Sequence, residues 1–314
     1  VQEGLVLKST GNKYKVLCKE TLYECVVRGK LRIGNLRTTN PVAVGDKVIF
    51  DAESGSIAGV LPRSNYIIRR SVNLSKEAHI VAANIDQAIL LLTISRPGTP
   101  AGFIDRFLIS AEAYHIPVIL VVNKCDDLRS TDEQVNLAIF NDTYRESGYQ
   151  VMNISALIDA DIDRIRSIVN GKITLISGNS GVGKTTLVNA LCPHLKLRTS
   201  EVSDAHQKGK HTTTFAEMFA LDTGATEKGF IIDSPGIKGF GLVDISKEEL
   251  GNLFPEIRAY SKDCKYHNCI HINEPGCAVL KYLEEHPLFE SRYRSYLSML
   301  EDIDGYSEKY RKAD

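Results

Sequence analysis

Three short motifs occur in an order that restricts the fold more than any other feature of the chain. NKCD (Asn123 to Asp126) comes first, GNSGVGKTT (Gly178 to Thr186) second and DSPG (Asp233 to Gly236) last. Each follows an apolar run: PVILVV, ITLIS and GFIID. Amphipathic stretches such as FIDRFLISAEAYH separate these runs. That alternation predicts an α/β domain with a mostly parallel sheet and helices on both faces. Ligands of such sheets bind at the carboxyl ends of the strands, where all three motifs fall. A guanine-nucleotide domain in the usual order would begin with the phosphate loop. Here the base reader comes first, so the domain reads as circularly permuted, a change tolerated where termini lie close together on the surface.

Gly178, Asn179, Ser180, Gly181, Val182, Gly183, Lys184 and Thr185 fill the eight-position phosphate-loop pattern, with Thr186 continuing into a helix. The strand before it and the helix after it are the context this pattern requires. The glycines let successive amide N–H groups face a phosphate at a helix N-terminus. Lys184 supplies charge to the transferred phosphoryl group, and Thr185 can ligate Mg²⁺. In NKCD, Asp126 can accept the N1–H and 2-amino donors of guanine, which adenine lacks. A buried carboxylate left unmatched is the physical source of selectivity. Asn123 would tie this loop to the phosphate-loop strand, the Lys124 stem can lie over the ring, and Cys125 completes the turn. After the next strand, Ser155 and Ala156 offer a backbone N–H for the guanine carbonyl. Together these residues point to GTP.

In DSPG, Asp233 can hold Mg²⁺ through water, and the Gly236 amide can sense the γ-phosphate. Between the phosphate loop and DSPG lies KGKHTTT (Lys208 to Thr214), where Thr213 is the favoured Mg²⁺ ligand of a first switch; an ordinary solvated loop is the other reading. Ras-type proteins place a glutamine after the DxxG glycine to orient water, but Ile237 stands there. His211 is the nearby side chain with a useful pKa, so it is the candidate water-positioning group, or else a solvated loop histidine. A slow intrinsic rate and an external activator are expected. The permutation also means that whatever follows DSPG is attached to a segment that changes when GTP becomes GDP.

The first 66 residues read differently. Five short alternating segments with turn signals between them predict a small OB-like β-barrel, or a plain packing module of similar build. Residues 1–70 hold 12 Lys and Arg against 6 Asp and Glu, a net of +6, while the remainder carries −7. That gradient indicates a polyanionic partner for the barrel, or a solvated basic face. Lys13, Lys15, Arg28, Lys30, Arg32 and Arg37, with Tyr14 and Tyr23, are the candidates for a nucleic-acid face. The expected organisation is a barrel over 1–66, a linker over 67–83, the permuted domain over 84–243 and a mostly helical C-terminal domain over 244–314. AILLLTI is too short to cross a bilayer, and the N-terminal stretch lacks a signal-peptide core, so a cytoplasmic monomer is expected.

Cys264, Cys269 and Cys277 crowd together, with His271 between the last two. Three thiolates and an imidazole can close a structural, tetrahedral Zn²⁺ shell. His267 competes for the fourth position, and three unligated thiols are the bland alternative. Arg292, Tyr293, Arg294 and Tyr296 could touch nucleic acid, but an amphipathic packing helix is the favoured reading.

Taken together, the permuted order of NKCD, GNSGVGKTT and DSPG, the KHTTT loop, the barrel and CKYHNCIH…C resemble the bacterial ribosome small-subunit-dependent GTPases, the RsgA or YjeQ family. The resemblance spans nearly the whole chain. It implies GTP hydrolysis stimulated by the small ribosomal subunit, a role in late 30S maturation, and rRNA contacts. One zinc at Cys264, Cys269, His271 and Cys277 and a role for His211 in stimulated hydrolysis are also implied. The different-class alternative is a GTP-gated RNA-binding module with vestigial hydrolysis.

Overall fold

The computed structural model describes residues 1–27, 40–70, 78–197, 216–221, 228–233 and 245–311. The N-terminal region is a closed barrel of five strands: β1 (Gln2–Ser9), β2 (Tyr14–Cys18), β3 (Thr21–Val27), β4 (Lys47–Asp51) and β5 (Ser56–Val60). Neighbours pair antiparallel, except that β3 meets β5 in parallel, and β1 pairs with β4 to close the ring. Alternation drives this: Tyr14, Val16 and Cys18 point inward with Phe50 and Ile57, while Lys13 and Lys15 are exposed. Tyr14, expected on a nucleic-acid face, is therefore a core residue, 2% exposed, and its hydroxyl donates to the Gly11 carbonyl. Tyr23 is half-buried against the Phe50 ring. Arg28, Lys30, Arg32 and Arg37 lie outside the described residues.

The stretch 67–83, expected as a linker, is described at 67–70 and 78–83. It holds most of an antiparallel hairpin, β6 (Tyr66–Arg70) with β7 (Ala78–Ala83). Ile67, Ile80 and Ala82 are buried. The Asn40 side chain substitutes for a strand neighbour, donating to the Ile80 carbonyl at 2.7 Å and accepting from its N–H at 2.9 Å.

The second domain is built on β8 (Gln87–Leu92), β9 (Val118–Val122), β10 (Gln150–Asn153), β11 (Ile173–Gly178), β12 (Glu217–Ala220) and β13 (Phe230–Asp233). Their order is β10-β9-β8-β11-β13-β12, parallel except for β12. Helices α1 (Ala101–Ala113), α2 (Thr131–Glu146), α3 (Asp159–Val169) and α4 (Lys184–Leu191) cover it. The continuous apolar run of β8 serves both faces. Leu90 and Leu92 pack with Phe107 and Leu108 of α1, whereas Ile89 and Leu91 pack with Ile165 of α3 and Val188 of α4. β12 also reaches the barrel: Lys8 pairs in register with Glu217, and their side chains meet at 2.9 Å.

The C-terminal region contains α5 (Lys247–Leu250), α6 (Pro255–Ser261), α7 (Ala278–Glu285) and α8 (Glu290–Arg311). Leu250, Phe254, Ile257, Tyr296 and Met299 pack together with Ile109 of α1. Arg292 of α8 is fully buried in this joint. It donates to Glu256 of α6 at 2.6 and 3.1 Å and to Asp105 of α1 at 2.7 Å, and Asp105 also accepts from the Tyr144 hydroxyl of α2. The packing role of this helix is thus the one observed for Arg292 and Tyr296. Among the described residues no helix is long and apolar enough to cross a membrane.

Candidate functional site

The decisive question from the sequence is whether NKCD and the phosphate loop share one cavity. Asp126 lines one cleft with Gly183 and Thr186 of the phosphate loop, though Lys184 is not part of its lining, and Asn123 is the joint. It stands just past β9, 4% exposed, with β8 between β9 and the phosphate-loop strand β11. Its Nδ2 donates to the Val182 carbonyl at 2.8 Å, and its Oδ1 accepts from the Ala156 N–H at 2.9 Å. One amide therefore fastens three separate segments.

Two glycines make that approach possible. Gly183 has φ +95°, and a Cβ there would lie 2.3 Å from Asn123 Nδ2. Gly178 lies so close to β8 that a Cβ would sit 2.4 Å from the Leu91 carbonyl oxygen. The glycines are thus needed for backbone approach as well as for the turn.

A cleft of 340 Å³ opens beside this joint, lined by Asn123, Lys124, Asp126, Asp127, Ser155, Ala156, Leu157, Gly183 and Thr186. Lys124 adopts a left-handed conformation, φ 61°, which turns the loop so that Asp126 faces the cleft. Cys125 does not line it: its Sγ contacts the Val122 carbonyl at 3.3 Å, and burial raises its pKa. Of the Ser155-Ala156 pair expected to offer an N–H to a guanine carbonyl, the Ala156 N–H is committed to Asn123. The next N–H, of Leu157, makes only a 3.3 Å contact with Ser155 Oγ. Ser155 itself is buried, its N–H donating to Asp161 at 2.8 Å. Leu157, 79% exposed at the rim, and Asp127 line the cleft too. Nothing but adjacency to the motifs marks them in the sequence.

Lys184 opens α4 at the far side of Gly183. Its ammonium lies 3.1 Å from Asp233 Oδ1 at the end of β13. That oxygen is buried and makes no directed hydrogen bond, so the contact with Lys184 is one of charge. An unsatisfied buried carboxylate oxygen beside the phosphate loop fits a cation with its water shell. Thr185 and Thr186 are half-buried in the first turn of α4, while Asn179 and Gly181 are half-buried and Ser180 exposed in the loop. His211, Thr213, Gly236 and Ile237 lie outside the described residues.

The second cluster is more compact. The ligand atoms of Cys264, Cys269, His271 and Cys277 all lie within 4.8 Å of one another. Cys264 Sγ is 3.6 Å from His271 Nδ1 and 3.9 Å from Cys277 Sγ, and His271 Nδ1 is 3.4 Å from Cys277 Sγ. A tetrahedron with bonds of about 2.0–2.3 Å has edges of roughly 3.5–3.8 Å, so the donor set fits a four-coordinate ion. His267 is exposed and outside the cluster, whereas His271 is 4% exposed. Burial pushes the Cys269 thiol up to about 12 and lowers His271, so the cluster disfavours uncompensated charge. Binding a cation there would release protons. Supporting contacts come from α8: the Tyr293 and Tyr296 hydroxyls donate to the His271 and Ile270 carbonyls, each at 2.7 Å. Glu274 accepts from the Ile270 and Ile272 N–H groups at 2.9 Å.

Comparisons with known proteins agree with this geometry. The family described as RsgA GTPase matches residues 60–243, and the RsgA N-terminal domain matches residues 3–60. A protein named small ribosomal subunit biogenesis GTPase RsgA, from Bacteroides fragilis, is 51% identical and covers 99% of each chain. The crystal structure of YjeQ from Thermotoga maritima superposes with a TM-score of 0.76 at 32% identity, covering 97% of this chain and 99% of that one. YloQ, described as a circularly permuted GTPase, gives a TM-score of 0.73 at 28% identity, covering 97% of this chain and 96% of that one. A phosphate loop joined through Asn123 to the NKCD loop that precedes it in sequence, the match to the family model over residues 60–243 and the identity to a named relative over nearly its whole length agree, and the chain belongs to the RsgA GTPase family of GTP hydrolases.

Proposed function

We propose that this chain is a cytoplasmic, monomeric GTPase that acts in late maturation of the small ribosomal subunit, binds its rRNA and is stimulated by it. The observation that carries the reading is the Asn123 joint, which brings Asp126 and the phosphate loop to one cleft. In this reading Asp126 pairs with the guanine edge, and Lys124 covers one face of the base. The Leu157 N–H takes the place expected of the Ser155-Ala156 pair at the guanine carbonyl, since both of those N–H groups are engaged elsewhere. The loop from Gly178 to Thr186 cradles the phosphates, and Lys184 offsets charge developing on the transferred group. Mg²⁺ would be held by Thr185 and Thr213, with Asp233 acting through water and Gly236 at the γ-phosphate; it would supply charge neutralisation across the phosphates. Zn²⁺ at Cys264, Cys269, His271 and Cys277 would be structural, because four protein ligands leave no open position.

His211 is the proposed water-positioning group, since the Ile237 side chain offers no polar atom. The test is phosphate release from GTP with purified small subunits, large subunits or neither, for the wild type and His211→Ala. Stimulation by small subunits alone is expected, lost in His211→Ala with nucleotide affinity retained. A flat response to both particles would sink the ribosomal reading in favour of a GTP-gated RNA-binding module. Undiminished stimulation of His211→Ala would remove that histidine from the mechanism.

A further inference from the structure

A loop that belongs to none of the motifs touches both the phosphate loop and the NKCD loop. It runs from Thr93 to Pro100, between β8 and α1, and is closed on itself. The Thr99 N–H donates to the Thr93 carbonyl at 2.9 Å, and Thr93 Oγ1 donates to the Pro97 carbonyl at 2.5 Å. On one side Pro97 abuts the phosphate loop: a Cβ on Gly181 would lie 3.3 Å from Pro97 Cδ. On the other side the Arg96 carbonyl accepts the Lys124 ammonium at 2.9 Å. The Arg96 guanidinium reaches past it, with Nε 3.0 Å from Asp127 Oδ2 and Nη1 2.5 Å from Glu133 Oε1. It also donates to the Asp127 carbonyl. Glu133 in turn forms the capping box of α2 with Ser130.

We infer that Arg96 is a positioning residue for guanine-nucleotide binding, holding the carbonyl that fixes Lys124 against one face of the base. Both Arg96 (φ 50°) and Lys124 (φ 61°) occupy the left-handed region, which non-glycine residues adopt reluctantly. Each needs an external hold, and for Arg96 that hold is its own side chain on Asp127 and Glu133. Without it the carbonyl is released, and the Lys124 ammonium returns to solvent. A long lysine stem loses rotamer freedom when ordered, so ordering it before the nucleotide arrives removes that loss from the binding step. A purely structural surface ion pair would do none of this, since exposed pairs contribute little by themselves.

The inference rests on the assignment of the cleft to a guanine nucleotide, and the test separates the two. Release of a fluorescent GDP analogue, chased with unlabelled GDP, is timed for the wild type, Arg96→Ala, Arg96→Lys, Lys124→Met and the Arg96→Ala/Lys124→Met pair. Arg96→Ala should accelerate release about tenfold, within the range that neighbouring residues couple, and raise KM for GTP more than it lowers kcat. Arg96→Lys, which lacks the planar fork, should fall between the wild type and Arg96→Ala. The pair should release at the rate of Lys124→Met alone, because Arg96 acts through Lys124. Wild-type release from Arg96→Ala, or effects that multiply in full in the pair, would overturn the inference. Should Arg96→Ala unfold at the assay temperature, Asp127→Asn weakens one of the three contacts that hold the guanidinium. A smaller acceleration that vanishes in the Lys124→Met background then supports the inference, and wild-type release overturns it. Asp126→Asn tests the guanine assignment itself. Undiminished preference for GDP over ADP in that variant sinks the assignment and the inference together. A relaxed preference alongside wild-type release from Arg96→Ala sinks the role of Arg96 only.

Discussion

Replacing Gly183 by alanine probes the joint on which the whole site depends. The new methyl would stand 2.3 Å from Asn123 Nδ2, well inside contact distance, on a backbone with φ +95°. The left-handed backbone alone costs an alanine roughly 1–2 kcal/mol. Asn123 sits at the end of a short side chain, but hydrogen bonds to Val182 and Ala156 pin it, so yielding means losing both. At a net value of about 0.5–1.5 kcal/mol for each hydrogen bond, the total comes to about 3 kcal/mol, roughly a hundredfold in an equilibrium constant. The loss can appear as lower stability or as weaker GDP binding, depending on whether the free protein keeps the strained joint or lets it open. Urea denaturation and GDP titration on the same preparation capture both, and their sum is the predicted quantity. Wild-type stability together with wild-type affinity would refute the argument that Asn123 and Gly183 form one rigid contact.

Other outcomes follow from the same reasoning. Arg292→Met leaves Asp105 and Glu256 buried without their cation and should cost about 3–5 kcal/mol in urea denaturation. The triple variant with Asp105→Asn and Glu256→Gln should recover most of that loss, and a single-variant loss below about 1 kcal/mol would contradict the burial argument. Metal analysis should find one tightly held ion per chain, lost in Cys269→Ser and His271→Ala but retained in His267→Ala. The reverse result for the two histidines would show that the wrong imidazole has been assigned.

How much of this was legible in the sequence depends on whether the information is local. The phosphate loop and NKCD could be read because each is a contiguous string after an apolar strand, and the cysteine cluster because its ligands fall within fourteen residues. The choice of His271 over His267 came from the family resemblance and not from spacing, since it turns on which imidazole the fold buries. Tyr14 was misread although the signal was present. In a strand that alternates Lys15 outward, Tyr14, Val16 and Cys18 must share the inward face. The hairpin of Tyr66–Arg70 and Ala78–Ala83 was hidden by the polar run between its strands, and by Asn40, whose pairing with Ile80 spans forty residues. The partner of Arg292 is further still, 187 positions away in Asp105, and an arginine in an amphipathic helix gives no hint that it will be interior. Arg96 lacks a motif altogether. Its role emerges only from what its two ends touch.

The Arg292 joint bears on the expectation that the C-terminal module rides on the segment after Asp233. That module is bolted to α1 through a cation held by two carboxylates. Swinging it as a free arm when nucleotide changes would mean parting those charges at several kilocalories per mole. A particle that gripped the Cys₃His module would therefore take hold of the body to which α1 belongs, and any change at the phosphates would be exerted against that anchored body.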